Sequence, residues 1–209
     1  MTEYTARDFS ALIGTPGFSE PLLKDHFTLY EGYVTNTNKV LEATTRLARE
    51  GKAKDPEFAE LRRRFGWEWN GMRLHELYFG GMTKTSRPLA KTGEVARALA
   101  EGYGSFDAWA ADFKATGAMR GIGWAALYYD PVAGRALNGW INEHHEGELA
   151  GCPILLVMDV FEHAFLHDYG VKKDGYIEAF FGAIDWSVVG TRFDEALRAA
   201  PALAVSAKS

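Results

Sequence analysis

Between Ser19 and Gly51 the chain offers almost nothing that would stop a helix, and this stretch constrains the fold more than any other feature. From Ser19 to about Arg49 there is no proline after Pro21, and Leu22, Leu23, Phe27, Tyr30, Val34, Val40 and Leu41 recur at helical spacings. Gly51 is a stop signal. A second helical pattern runs from about Asp55 to Phe79 through Phe58, Leu61, Phe65, Met72, His75 and Tyr78, until Gly80-Gly81 breaks it. Two long helices joined by a short loop predict an antiparallel hairpin.

Ser86-Arg87-Pro88 reads as a linker. Thr92 and Ser105 stand where N-caps belong, with Glu94 and Asp107 in the first turns of two further helices. After Gly121 the pattern changes. Trp124 to Tyr129 and Leu137 to Ile141 resemble strands joined by the turn-rich Asp130-Pro131-Val132-Ala133-Gly134, and Pro153 to Met158 suits a buried strand. Helices are expected again at about Tyr176 to Ile184 and Thr191 to Ala199, with a tail fraying from Pro201. The fold class is therefore α+β. A long helical hairpin domain over residues 1–86 precedes an α+β domain over 87–209 that carries a small three-stranded antiparallel sheet.

Composition removes several functions. At 209 residues, 47% apolar and 24% charged, the chain is ordinary for a globular protein and shows no bias toward disorder. Its longest apolar stretch, Cys152 to Met158, ends at Asp159, well short of a membrane span. Net charge is −5, and the one basic cluster, Arg62-Arg63-Arg64, reads as a solvated helix face, so nucleic acid is not an expected partner. A lone cysteine, Cys152, excludes intramolecular disulfides and thiolate zinc sites. With no secretory signal at the N-terminus, a cytoplasmic location is expected.

Asp159-Val160-Phe161-Glu162-His163 follows directly on the apolar strand. A carboxylate and an imidazole four residues apart at a strand end can meet at a metal ion, or simply hydrogen-bond to each other. His26 and His75 lie within the two long helices among apolar neighbours, where a single histidine is usually a satisfied core residue. Together with Asp159 and His163 they make a set of three imidazoles and one carboxylate. Such a set suits a first-row transition metal better than calcium or magnesium. The repeated Glu-x-x-His of a di-iron bundle is missing.

The run from Leu155 through Asp159-Val160-Phe161-Glu162-His163-Ala164-Phe165 resembles the signature of iron/manganese superoxide dismutases. Asp168-Tyr169, Tyr176 to Phe181, Asp185-Trp186, Gly121-Ile122-Gly123-Trp124 and Tyr33 to Asn38 are similar to further motifs of that family, in its order and at near-family spacing. The resemblance spans roughly residues 20–190. It implies a superoxide dismutase with one iron or manganese ion per subunit between the two domains, held by His26, His75, Asp159, His163 and a solvent molecule. It also implies a homodimer or tetramer in which Glu162 bonds His163 of the neighbouring subunit.

The chain departs from the family pattern around that ion. Many relatives aim a glutamine at the metal's solvent ligand. Here the helix position four residues before His75 is Gly71, and the matching sheet position is His144, which takes the role in some relatives, with Gly71 expected to leave room for its ring. The competing reading makes His144 or His145 a surface loop residue. After His26 the family usually shows histidine at four and tyrosine at eight residues, whereas this chain has Tyr30 at four and Tyr33 at seven. At about 100° per residue, positions four and seven both stay within roughly 40° of His26. Tyr33 is the candidate gateway tyrosine and Tyr30 its rival. Leu166 replaces the family's interface tyrosine and Tyr30 its partner histidine, so an apolar contact between Tyr30 and Leu166 across subunits is expected. Phe79, Ala126 and Phe161 stand where tryptophan is common. Val157, where manganese-specific relatives commonly have glycine, leans the metal toward iron. A metal-binding structural or interaction protein on the same fold is the alternative to a working dismutase.

Overall fold

The computed structural model describes residues 2–203. Two helices, α1 (Glu20–Arg49) and α2 (Pro56–Gly80), form the hairpin. Ser19 caps α1 by accepting the Leu22 amide at 3.2 Å, Glu20 lies in the first turn, and Arg46 and Arg49 lie in the last, all favourable to the helix dipole. Pro56 opens α2 at a position whose N–H would be unpaired in any helix.

The remaining elements are α3 (Glu94–Tyr103), α4 (Phe106–Ala118), β1 (Gly123–Asp130), β2 (Arg135–Asn142), β3 (Ile154–Asp159), a 3₁₀ turn over Glu162–Ala164, and α5 (Leu166–Tyr169), α6 (Lys173–Ala183) and α7 (Trp186–Leu203). The sheet is antiparallel with strand order β2-β1-β3. Its register sets Trp124 of β1 between Ile141 of β2 and Asp159 of β3. One apolar cluster runs from Leu22 and Leu23 of α1 through Met72 and Tyr78 of α2 to Trp124, Leu127 and Phe180. The hairpin and the sheet therefore share a core, and the side chains that meet there come from both.

The sequence pattern and the structure differ at some ends. Gly93, not Thr92, occupies the cap of α3, whereas Ser105 caps α4 by accepting the Ala108 amide. The last helix begins five residues before Thr191, because Asp185 Oδ1 accepts the Ser187 amide at 3.0 Å and starts a turn that apolar periodicity does not reveal. It continues to Leu203, past Pro201, and the rest of the expected fraying tail, 204–209, lies outside the described residues. Among the described residues no helix is long and apolar enough to cross a membrane.

Candidate metal centre

His26 projects from the buried face of α1 and His75 from the facing side of α2, with ring centroids 5.0 Å apart and nearly perpendicular planes. Asp159 ends β3 and is fully buried. Its Oδ1 accepts the Phe161 amide at 2.9 Å, closing a local turn as the chain leaves the sheet. That turn leads into the 3₁₀ segment, which swings His163 back toward the carboxylate. Tyr176 donates to the Asp159 carbonyl from α6 and fixes the strand end from the other side.

One oxygen, Asp159 Oδ2, lies 3.2 Å from His26 Nε2, 3.0 Å from His163 Nε2 and 3.6 Å from His75 Nε2. One donor atom from each of the four residues falls within 4.8 Å of the others. His75 Nδ1 donates to the Gly71 carbonyl at 2.6 Å, so the neutral ring turns a bare lone pair at Nε2 inward. That Nε2 is buried with no hydrogen-bond partner, and its nearest charged neighbour is another electron-rich atom, the Asp159 oxygen. Two facing acceptors in a dry interior call for a cation between them. Three imidazoles and a carboxylate are donors that fit iron or manganese.

The local charges agree. Burial pushes His26 and His75 below the ordinary histidine range, in His75 helped by the neighbouring His26, so both stay neutral and able to ligate. Burial works against the Asp159 carboxylate, but its interaction with His163 and the hydrogen bonds from His163 and His26 outweigh it and hold the group well below the usual carboxylate range.

His144 is fully buried, which settles it as an interior residue although it sits in the loop after β2; His145 beside it is exposed. Trp124 Nε1–H donates to His144 Nδ1 at 3.0 Å. Indole only donates, so His144 Nδ1 must be the bare nitrogen and Nε2 carries the proton, which it gives to the Tyr33 hydroxyl 2.7 Å away. Burial lowers His144 to about 4, against the pull of Asp159, and keeps this neutral tautomer at neutral pH. Tyr33 is pushed well above the ordinary tyrosine range by burial and the nearby Asp159 and Glu68 charges, and its ring stacks on His75 at 5.3 Å.

Two expectations change. Gly71 makes room for Tyr33, not for His144: a Cβ at residue 71 would come within 2.6–2.9 Å of the Tyr33 ring. Tyr30 does not offer a surface for Leu166 of another subunit. Its hydroxyl donates to Glu76 Oε1 at 3.0 Å and accepts the Arg7 amide at 3.0 Å, and Phe9 packs on its ring, so the N-terminal segment covers it. Leu166 is 50% exposed and Glu162 is exposed. Sequence reasoning missed Trp67, whose ring packs edge-on to His144 at 4.8 Å, and treated Arg64 only as surface. The available signal was the Arg64/Glu68 pair at i, i+4 around an aromatic residue on the helix that carries His75.

Comparison with known proteins gives a consistent result. The family described as iron/manganese superoxide dismutases, C-terminal domain, matches residues 91–192. The chain is 37% identical to superoxide dismutase (Fe) of Aquifex pyrophilus over 196 residues, 90% of this chain and 89% of that one. It is 34% identical to superoxide dismutase (Fe) of Cupriavidus metallidurans, over 87% of this chain and 91% of the relative. With superoxide dismutase (Mn) 2 of Haloferax volcanii the identity is 31%, over 87% and 90%.

Proposed function

The chain belongs to the iron/manganese superoxide dismutase family, and from that premise we propose that it converts two superoxide anions and two protons to dioxygen and hydrogen peroxide at one ion held by His26, His75, Asp159 and His163. Iron or manganese held by His26, His75, Asp159 and His163 would supply a one-electron couple between trivalent and divalent states, the chemistry that dismutation of superoxide requires. The observation that carries the assignment is the convergence of four donors, three of them buried and His163 partly so, on one point, with a bare His75 Nε2 facing a carboxylate oxygen.

The remaining work falls to the protein. His26 and His75 arrive already neutral, so loading them requires no proton release from either. Asp159 supplies one negative charge against the cation in a dry site. His144 holds a proton on Nε2 and spends it on Tyr33, which leaves the Tyr33 O–H proton directed elsewhere, available to an incoming anion. Tyr33 therefore takes the gateway role in this proposal. Tyr30, raised to about 12 by burial first and then by Glu76, acts as a brace between α1, α2 and the N-terminal segment.

Relatives named for iron and for manganese both match, and Val157, fully buried two residues before Asp159, tips the proposal toward iron. A dimer joined by Glu162 and His163 belongs to the same reading. It is supported by the exposure of Glu162 and Leu166 beside a ligand histidine that is itself 27% exposed. The division into domains 1–86 and 87–209, and a cytoplasmic setting suited to a lone cysteine, are likewise part of it. Dismutation and metal content measured on one purified sample test the function. Turnover proportional to bound iron or manganese is expected; a fully loaded but inactive protein would mark a metal-binding module instead.

A further inference from the structure

His144 reaches the interior from a strained loop. Glu143, directly before it, is the one non-glycine residue with positive φ (52°) among the described residues, and its amide is tied to the Ile122 carbonyl at 3.1 Å. This left-handed turn aims the imidazole inward, and such strain persists only where the surroundings hold it. Trp124 and Tyr33 hold the two ring nitrogens, and Phe161 stacks on one face at 4.7 Å. On the outer side stands Trp67 of α2, edge-on to His144 at 4.8 Å and to His145 at 5.5 Å. Trp67 is itself only partly buried and would be free to tilt outward, but the Arg64 guanidinium lies 4.9 Å over its ring. Arg64 is fixed in turn by Glu68, whose buried Oε1 accepts its Nε–H at 2.7 Å.

We propose that Trp67, latched from outside by the Arg64–Glu68 pair, is a positioning residue for His144, so that the second helix of the hairpin fixes the aim of a proton donor presented by the sheet. The latch needs all three side chains. Glu68 orients the guanidinium, the guanidinium covers the indole by cation–π attraction, and the indole fills the space into which His144 would otherwise relax. The role of His144 in turnover rests on the dismutase reading; the way it is held does not.

Two readouts follow. In metal-free protein, the Trp124 indole proton is protected by its bond to His144, and its hydrogen exchange is followed by NMR. In metal-loaded protein, azide affinity reports the anion site next to Tyr33 and His144. Trp67→Ala should speed Trp124 indole exchange and weaken azide binding, each by about 10-fold, the low end for residues that orient a metal site at one remove. Metal content per chain should be unchanged. Arg64→Gln should give a smaller shift in the same direction, and Arg64→Lys, which keeps a cation over the ring, should restore part of it. Arg63→Gln, at an exposed residue paired with Glu60, should change neither. Should Trp67→Ala fail to fold, Trp67→Phe and the Arg64 pair carry the test. Exchange and azide affinity equal to wild type in folded Trp67 and Arg64 variants would overturn the proposal. Faster indole exchange in a protein that shows no dismutation would uphold the latch and sink only the dismutase reading.

Discussion

The hairpin side of the centre and the strand-exit side are built in opposite ways. On the hairpin side, His26, His75, Tyr30 and Gly71 are fully buried, and His75 is braced by a hydrogen bond within its own helix. On the strand-exit side, burial falls from complete at Asp159 to partial at His163 and to exposure at Glu162 and Leu166 within seven residues. The hairpin side is complete within one chain. The strand-exit side ends on a surface that a second copy would finish. One half of the site thus depends on packing inside the subunit, and the other, in the proposed dimer, would depend on assembly.

The largest effect expected belongs to the buried half. His75→Ala or Asp159→Ala should abolish tight metal binding, because each removes one of four donors and Asp159→Ala also strips the one carboxylate among them. Metal per chain by atomic emission measures it. Glu162→Ala comes next and probes the open half: the dimer should loosen on dilution and lose metal in parallel, as linked equilibria require. Sedimentation with metal analysis follows both. If Glu162→Ala stays a loaded dimer at nanomolar concentration, the contrast between the two halves is wrong.

Smaller effects should come from residues that touch no donor atom of the ion. His144→Ala and Gly71→Ala should both keep the metal and reduce dismutation per bound ion by about 10–100-fold. The first removes the donor to Tyr33, and the second forces the Tyr33 ring off its seat. Last comes acid stability of the metal-free protein. His144 has a folded pKa of about 4, below its ordinary 6.5, so the unfolded chain binds the extra proton between those values. The stability His144 contributes is therefore present above pH 6.5 and is lost as pH falls toward 4, on the order of 3 kcal/mol at most. Denaturant unfolding across that range should show a shallower loss in His144→Gln.

Much of this was legible in the sequence where a periodic or local signal exists. The hairpin followed from unbroken 3.6-residue periodicity, and its ends lie within a residue or two of Ser19, Arg49 and Phe79. Asp159 and His163 announced themselves because four residues at a strand end bring both to one place. The neighbours of His144 were hidden, since Trp67 and Tyr33 reach it across the hairpin–sheet boundary, which no spacing encodes. Gly71 was misassigned for the same reason: a missing side chain tells that space exists, but only the packed structure says which ring fills it. Tyr30 looked like an interface residue until the N-terminal segment was seen to cover it.

The central claim is that one redox ion sits among His26, His75, Asp159 and His163. Anomalous diffraction at the iron and manganese edges, on crystals of protein whose dismutation has been measured, tests it most directly. A single peak per chain, enclosed by those four side chains and at one of the two edges, is the predicted result. A peak elsewhere, or full dismutase activity with no peak among the four, would contradict it.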